Sequence, residues 1–166
     1  MRKILVLTGV VFVILLSSSC KRCSGDFPNR HSGLCWSNSS PNHMVYKKAT
    51  AYCKNLGGRL PTISELRTLI QNCPATETGG SCGLTDSCLS SSCWLSGVSD
   101  DDWRNSPCRG CPSYSSGKYN VFGDAGWFWS SLVPSGYAEG AWGVNFGYAR
   151  VGNFSRNDRN DVRCVR

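Results

Sequence analysis

The chain has 166 residues and a net charge of +7 at pH 7, and 11 of its residues are cysteines. A single domain of this length has a small hydrophobic core, to which disulfide bonds can add stability. The basic side chains are scattered and form no run, which argues against a nucleic-acid partner but permits acidic glycans or lipid headgroups.

The N-terminus has the three regions of an export signal. Basic residues at positions 2 and 3 precede an apolar run from Ile4 to Leu16, which is too short to span a bilayer comfortably. Ser18-Ser19-Cys20 then resembles a bacterial lipobox whose usual leucine is displaced to Leu16. Because the number of cysteines is odd, lipidation of Cys20 leaves an even number to pair in an oxidising compartment. We therefore predict a signal peptide at residues 1–19 and a lipoprotein of the bacterial cell envelope, at the outer membrane, with plain secretion as the alternative.

Residues 20–41 are predicted to form a lipid-anchored tether followed by a small hairpin. The stretch is polar, and Cys23 and Cys35 are close enough in sequence to close the hairpin with a disulfide. Closing such a loop contributes about 3 kcal/mol in the chain-entropy account. The folded domain is predicted to occupy residues 42–166.

Two short helices are predicted to meet at a tight corner. The first ends at Gly57-Gly58, which supplies a left-handed stop. Its apolar stripe consists of Tyr46, Ala49, Thr50, Cys53 and Leu56. The second begins after Pro61, where Thr62 and Glu65 have the spacing of a capping box. Its buried face consists of Leu66, Leu69 and Ile70.

Residues 73–124 are rich in Gly, Ser, Thr and Pro and are predicted to be a long loop region held by disulfides. Its cysteines are Cys73, Cys82, Cys88, Cys93, Cys108 and Cys111. The sequence does not choose among the possible connectivities, and Cys108–Cys111 is the best local pairing. A Cys-x-x-Cys pair can also bind zinc or take part in redox chemistry. No second pair of matching spacing is present, however, and the exported setting favours a structural disulfide.

From Gly126 onward the pattern becomes that of a small, strongly aromatic antiparallel sheet. The predicted strands cover residues 127–131, 141–146, 149–152 and 162–165. Trp127, Trp129, Trp142 and Phe146 follow the strand pattern and are predicted to be core residues. Together with the two helices, these strands predict an α+β fold.

A known bacterial family shares several ordered motifs with this chain. They are Gly-Gly-Arg-Leu-Pro-Thr-x-x-Glu-Leu (57–66), Trp-Phe-Trp-Ser-Ser (127–131), Ala-Trp-x-Val-x-Phe (141–146) and Val-Arg-Cys-Val-Arg (162–166). The chain thereby resembles the C-terminal domain of collagen-like bacterial adhesins and the related Fibrobacter major paralogous domain. The resemblance covers residues 42–166 and implies a C-type-lectin-like fold with a long disulfide-stapled loop region. It also implies a disulfide between Cys53 on the first helix and Cys164 on the last strand.

The Arg-Leu-Pro-Thr helix start and the terminal Arg-Cys-Val strand are also similar to those of the formylglycine-generating, sulfatase-modifying enzymes. Those enzymes need a reactive cysteine pair near the C-terminal part of the domain. No cysteine lies between Cys111 and Cys164, so that pair has no matching positions here. We therefore expect no enzyme of this type and keep it as the alternative.

No catalytic constellation is visible in the sequence. His31 and His43 are the only histidines, and no nucleophile or carboxylate has a spacing that would bring it to them. The residues that resemble calcium ligands of lectin-like domains are Asn157, Asp158, Asn160 and Asp161. The paired carboxylate-and-Pro loop motif of calcium-dependent lectins is missing, so we expect these residues to form turns and expect no cofactor, with calcium as the alternative.

Ligand binding is predicted in the Cys-rich loops, because the strand aromatics are needed in the core and loops on a rigid scaffold often carry function. The predicted binding residues are Asp100, Asp101, Asp102, Trp103 and Tyr114. For Trp94, next to Cys93, we predict a packing role. The sequence thus predicts a non-enzymatic, surface-anchored recognition or adhesion domain for a glycan or a surface protein. A structural envelope lipoprotein without a specific ligand is the remaining alternative.

Overall fold

The computed structural model describes residues 22–166, so the predicted signal peptide and the lipidation site Cys20 lie outside the described residues. The strands are β1 (Asn29–His31), β2 (Leu34–Trp36), β3 (Trp127–Trp129), β4 (Gly140–Asn145) and β5 (Arg150–Ser155). The helices are α1 (Tyr46–Asn55), α2 (Ile63–Arg67) and α3 (Ser91–Leu95), with 3-10 helices at Asp100–Asn105 and Pro107–Arg109. The predicted mixed α+β class with small antiparallel sheets is confirmed. In the described range, no helix is long and apolar enough to cross a membrane.

The predicted corner between two helices is present. α2 begins with a capping box, in which the Thr62 hydroxyl accepts from the Glu65 N–H at 3.2 Å and the Glu65 carboxylate accepts from the Thr62 N–H at 2.7 Å. The same carboxylate pairs with Arg59 at 2.6 Å. Upstream, Cys53 of α1 is buried, and Gly57 has a φ of +76°, the left-handed conformation that ends a helix.

The main sheet has the strand order β3-β4-β5, with both neighbouring pairs antiparallel. β4 is the central strand and is buried along its length, whereas β5 is an edge strand that extends past residue 152, its predicted end. The register places Trp127 opposite Asn145 and Asn145 opposite Arg150, so these residues share one face. Trp142 lies opposite Asn153, and this pair belongs to the other face.

The predicted last strand at residues 162–165 is wrong as a sheet strand, because this segment makes isolated bridges instead of a ladder. Serine side chains replace backbone partners along it. Ser37 Oγ accepts from the Cys164 N–H at 2.9 Å, and Ser40 Oγ accepts from the Val162 N–H at 3.1 Å. Since hydroxyl groups interrupt the backbone pairing, no regular strand pair develops.

The disulfides of the described residues are Cys23–Cys35, Cys53–Cys164, Cys73–Cys111, Cys82–Cys108 and Cys88–Cys93. The first two are the expected pairs. The predicted Cys108–Cys111 bridge is wrong, because the 3-10 turn at Pro107–Arg109 directs the fully buried Cys108 toward Cys82, while Cys111 reaches Cys73. The two bridges therefore hold the end of the loop region against its beginning.

The loop region contributes to the main core and does not form a core of its own. Leu84 and Tyr119 from this region belong to the same buried cluster as Leu66 of α2 and Phe146. A second cluster contains Phe27 of the N-terminal hairpin region, together with Ala49, Cys53, Trp129 and Val162. The hairpin is thus packed on the domain.

Candidate functional site

An open cleft lies at the free edge of β5 and has a volume of about 360 Å³, within the usual range of ligand cavities. We name it the aromatic cleft. Its lining residues are Ser91, Trp94, Trp127, Trp142, Arg150, Gly152, Asn153 and Phe154. Because these residues come from α3 and from all three strands of the sheet, the cleft joins the Cys-rich region to the sheet.

Trp94 fixes one wall of the cleft. It lies on α3, which begins at Ser90, whose hydroxyl accepts from the Cys93 N–H at 3.4 Å. The indole Nε1 of Trp94 donates to the carbonyl oxygen of Val151 at 2.8 Å, which ties α3 to the edge strand β5. Trp94 packs against the main core and also lines the cleft.

Trp127 does not lie in the core, contrary to the prediction from the strand pattern. Its neighbour on the same face, Trp129, is covered by Tyr46 of α1, whose ring lies edge-on at 5.6 Å. The Trp127 ring is half-buried and packs at 4.2 Å from Phe154 in the cleft. At Gly152 an added Cβ would lie 3.3 Å from this indole, so glycine leaves room for the ring. Strand alternation gives the face of a residue but not the point where the helical cover ends.

A second cavity, of about 620 Å³, adjoins the cleft because Arg150 lines both. We name it the arginine groove. Its lining residues are Ala75, Arg104, Asn105, Ser106, Pro107, Arg109, Gly110, Cys111, Pro112, Tyr148 and Arg150. Three arginines meet here with no Asp or Glu among the lining residues. Arg109 Nη1 is buried without a hydrogen-bond partner in the described chain. Burial, and then the positive charge of Arg109, lower the pKa of Arg150.

Backbone contacts and disulfides assemble the arginine groove. Gly110 has a φ of +79°, and an added Cβ there would lie 2.2 Å from the Tyr148 carbonyl oxygen. The next residue, Cys111, donates its N–H to that oxygen at 2.8 Å and is bonded to Cys73. The groove was not predicted from the sequence, because Arg104 and Arg109 are far from Arg150 in the chain and only the fold joins them.

A third cavity, of about 390 Å³, shares Trp127 with the aromatic cleft. We name it the histidine pocket. Its lining residues are His43, Tyr114, Ala125, Gly126, Trp127, Arg159, Asn160 and Asp161. His43 Nε2 lies 3.0 Å from Asp161 Oδ1. Burial raises the pKa of Asp161, the charge of His43 opposes that rise, and Asp124 adds to it.

The predicted binding residues of the first 3-10 helix are exposed and lie beside the arginine groove. Trp103 has two guanidinium groups near its ring, with Arg104 at 4.9 Å and Arg109 at 4.6 Å from the ring centroid. Asp100, Asp101 and Asp102 are exposed on the same helix and line neither the groove nor the cleft. Asp102 accepts a hydrogen bond from Asn105, a groove residue, at 2.5 Å.

Tyr114, the other predicted binding residue, connects two of the cavities. It is 57% exposed and lines the histidine pocket. Its ring packs edge-on at 5.3 Å from Tyr148, which lines the arginine groove. Tyr114 thus lines one of the cavities and Trp103 contacts two arginines of another, whereas the predicted carboxylates line none of the three.

The candidate calcium ligands divide between a turn and the histidine pocket. Asn157 and Asp158 are exposed in a turn, where both backbone N–H groups donate to Ser155. Asn160 and Asp161 line the histidine pocket. Among the residues the structure describes, no group of three or more His, Cys, Asp or Glu side chains is placed to hold a metal ion.

Buried side-chain atoms without a hydrogen-bond partner are concentrated at the three cavities. Within residues 22–166 they are Arg109 Nη1, Asn120 Nδ2, Trp142 Nε1 and Asn160 Nδ2, and each is an N–H donor. Arg109 lines the groove, Trp142 the cleft and Asn160 the pocket. Because a buried donor without an acceptor is costly, a ligand that suits these cavities offers acceptor oxygens.

The model of one protein family matches most of the chain. It is the Lcl C-terminal domain, and the match covers residues 25–166. The matched range includes the N-terminal hairpin that packs on the domain. Searches of curated proteins and of solved structures found no match.

Proposed function

We propose that this chain, which belongs to the Lcl C-terminal domain family, is a surface-associated recognition domain that binds an acidic glycan. The family match fits a surface-associated domain and confirms the domain family that the motifs indicated. The observation that carries the proposal is the set of buried, unpartnered N–H donors at cavities joined by Arg150 and Trp127.

A glycan suits the aromatic cleft for two reasons. Its hydroxyl, ring and carbonyl oxygens are acceptors for donors that have no partner among residues 22–166. Its C–H faces are apolar and can pack on indole and phenyl rings. Trp127 and Phe154 provide such rings, which contact each other with their centroids 4.2 Å apart. Since the cleft shares Arg150 with the groove and Trp127 with the pocket, a glycan of several sugar units can reach more than one cavity.

An acidic substituent suits the arginine groove. The planar guanidinium groups of Arg104, Arg109 and Arg150 match a carboxylate or a sulfate, to which they can donate paired hydrogen bonds. Burial is the main cause of the lowered pKa of Arg150, and an anion placed among the three arginines would offset the second cause, the positive charge of Arg109. Trp103 and Tyr114 flank the groove and extend the proposed surface.

Several finer points belong to the same proposal. The small antiparallel sheets, short helices and stapled loops support a C-type-lectin-like arrangement. We propose that the protein binds and does not catalyse, that its role is adhesion, and that Cys20 carries a lipid anchor in the cell envelope. A surface protein with clustered carboxylates is the second ligand class that the groove accommodates.

The proposal is tested by binding the full chain, purified in detergent, to polygalacturonate and to neutral dextran. Polygalacturonate should bind and dextran should not. The Arg109→Gln/Arg150→Gln variant should bind polygalacturonate at least about tenfold more weakly, because each charge-assisted contact contributes about 1.5 to 3 kcal/mol.

The matched control is Arg22→Gln/Lys48→Gln, which removes the same charge from exposed positions away from the cavities. It should bind polygalacturonate as the wild type does. If both double variants weaken binding equally, the net charge of the protein drives binding and the arginine groove is not the site.

A further inference from the structure

The Cys88–Cys93 bridge differs from the other disulfides of the described residues in its exposure to solvent. Cys88 is exposed, whereas every cysteine of the other bridges in residues 22–166 is buried or half-buried. Its partner Cys93 is only 9% exposed. Because a thiol must reach a sulfur atom to exchange with it, an external thiol meets this bridge at Cys88.

A tight turn presents Cys88 at the surface. The Thr85 N–H donates to the Cys88 carbonyl oxygen at 3.2 Å, and the Cys88 N–H donates to the Thr85 carbonyl oxygen at 3.1 Å. Asp86 and Ser87, which form the tip of the turn, are both exposed. A small molecule can therefore approach Cys88 from solvent while the backbone of the turn stays bonded.

Cys93 is suited to be the sulfur that leaves when the bridge opens. Ser90 Oγ lies 3.0 Å from Cys93 Sγ, and its hydroxyl group can rotate its proton toward that sulfur. A hydrogen bond to a charged group stabilises the charged form, so this hydroxyl favours a thiolate on Cys93. Since Cys93 lies only 5 residues from Cys88, it can also attack an adduct there and close the bridge again.

We propose that Cys88–Cys93 is a thiol-exchange site, at which a low-molecular-weight thiol from the surroundings becomes attached to Cys88 as a mixed disulfide. The thiolate of the small thiol attacks Cys88 Sγ, the bond between the two cysteine sulfurs breaks, and its electron pair leaves on Cys93 Sγ. A second thiolate that attacks the adduct releases a small-molecule disulfide and leaves Cys88 reduced. Two thiols are thus oxidised for each bridge that is reduced. This inference is independent of the proposed glycan binding.

Contacts other than the bridge hold α3 in place. The indole Nε1 of Trp94 donates to the Val151 carbonyl oxygen at 2.8 Å, and the Trp94 carbonyl oxygen accepts from Ser106 Oγ at 2.5 Å. Opening the bridge therefore leaves the helix attached to β5 and to the end of the loop region. The attached group then lies on the segment that also carries Ser91 and Trp94 of the aromatic cleft.

The test maps where a small thiol reacts. The full chain, purified in detergent, is incubated with reduced glutathione, quenched with N-ethylmaleimide at intervals, and analysed by fragment-ion mass spectrometry of its peptides. Glutathione should appear on Cys88 and N-ethylmaleimide on Cys93, at least about tenfold faster than either label appears on Cys23 or Cys35.

The Cys23–Cys35 bridge is the internal control, because it also closes a short loop, of separation 12, but consists of a half-buried cysteine and one that is 6% exposed. Equal rates of opening at the two bridges overturn the inference. Glutathione on Cys93 in place of Cys88 overturns it as well, because the attack would then be on the buried sulfur.

Two single variants test the accessibility of each sulfur separately. Cys93→Ser leaves Cys88 as a free thiol, which should take up glutathione from glutathione disulfide. Cys88→Ser leaves the buried Cys93 free, which should react at least about tenfold more slowly. The opposite order of rates contradicts the inference. If either variant does not fold, the mapping of the wild type decides the matter, since it needs no substitution.

Discussion

Arg67 shows how one residue holds the Cys-rich region on α2. Its guanidinium group is buried and donates to three backbone carbonyl oxygens, those of Thr76 at 2.9 Å, Leu84 at 2.5 Å and Glu77 at 2.8 Å. Burial lowers the pKa of Arg67. Arg67 is therefore the anchor for the loop that starts at Cys73.

Replacing Arg67 should destabilise the fold strongly. We expect Arg67→Met to lower the free energy of unfolding by about 3 to 5 kcal/mol, because the carbonyl oxygens of Thr76 and Leu84 lose their donor in a buried site. The carbonyl oxygen of Glu77 loses one of its two donors and keeps the Gly80 N–H. Urea denaturation followed by tryptophan fluorescence measures this loss. The control, Arg22→Met, changes an exposed arginine and should have little effect. Equal losses in the two variants would show that the three hydrogen bonds of Arg67 contribute nothing.

At the scale of an element, Glu65 at the start of α2 both belongs to the capping box and forms an ion pair with Arg59. Burial alone would raise the pKa of Glu65, but hydrogen bonds from Arg59 and from the Thr62 N–H outweigh burial and hold that pKa below its ordinary value of 4.5. A carboxyl group whose pKa is lower in the folded than in the unfolded protein stabilises the fold at pH values above its unfolded-state pKa. That stabilisation disappears as the pH falls through the folded-state pKa.

Glu65→Gln should therefore have an effect that depends on pH. The amide can still accept from the Thr62 N–H, but it loses the charge that pairs with Arg59, so we expect a loss of about 1 kcal/mol at pH 7. The difference in free energy of unfolding between wild type and variant should shrink as the pH is lowered below 4.5. Denaturation curves across this range measure it, with the exposed Glu139→Gln as the control. A gap that is constant with pH would contradict the ion-pair account.

At the scale of the whole molecule, local signals in the sequence were sufficient for local structure. The capping box at Thr62 and the stop at Gly57 depend on residues within one turn, and both are present as predicted. The aromatic alternation of residues 127–146 likewise located β3 and β4. The cap and the stop need no distant contact, because their partners are neighbours in sequence.

The features that the sequence did not predict depend on contacts between distant residues. The arginine groove needs Arg109 and Arg150 on different elements, and Cys108 pairs with Cys82 because a 3-10 turn and the core decide its direction. Trp127 lines a cavity because the cover provided by α1 ends at Trp129. The periodicity of apolar residues carries no information on which distant residues come into contact.

The bridge between the ends of the domain gives a prediction for the whole molecule. Cys53 on α1 is bonded to Cys164 near the C-terminus, a sequence separation of 111, whereas Cys23–Cys35 closes a separation of 12. On the chain-entropy account, the long bridge contributes about 5 kcal/mol and the short one about 3 kcal/mol. Cys53→Ala/Cys164→Ala should therefore unfold at lower denaturant than Cys23→Ala/Cys35→Ala, measured in oxidising buffer.

The two double variants should also unfold in different ways. Cys53 and Cys164 are fully buried beside Trp129 and Val162, so their loss also opens the second core cluster. The near-ultraviolet circular dichroism of the Cys53→Ala/Cys164→Ala variant should weaken well before its midpoint, because the C-terminal segment then separates from α1. In the Cys23→Ala/Cys35→Ala variant the backbone bonds between Cys35 and Arg166 remain, at 3.1 and 3.0 Å, and the signal should be lost in a single transition. A greater loss of stability in the variant without the short bridge would mean that the N-terminal hairpin, and not the Cys53–Cys164 bridge, holds the two ends of the domain together.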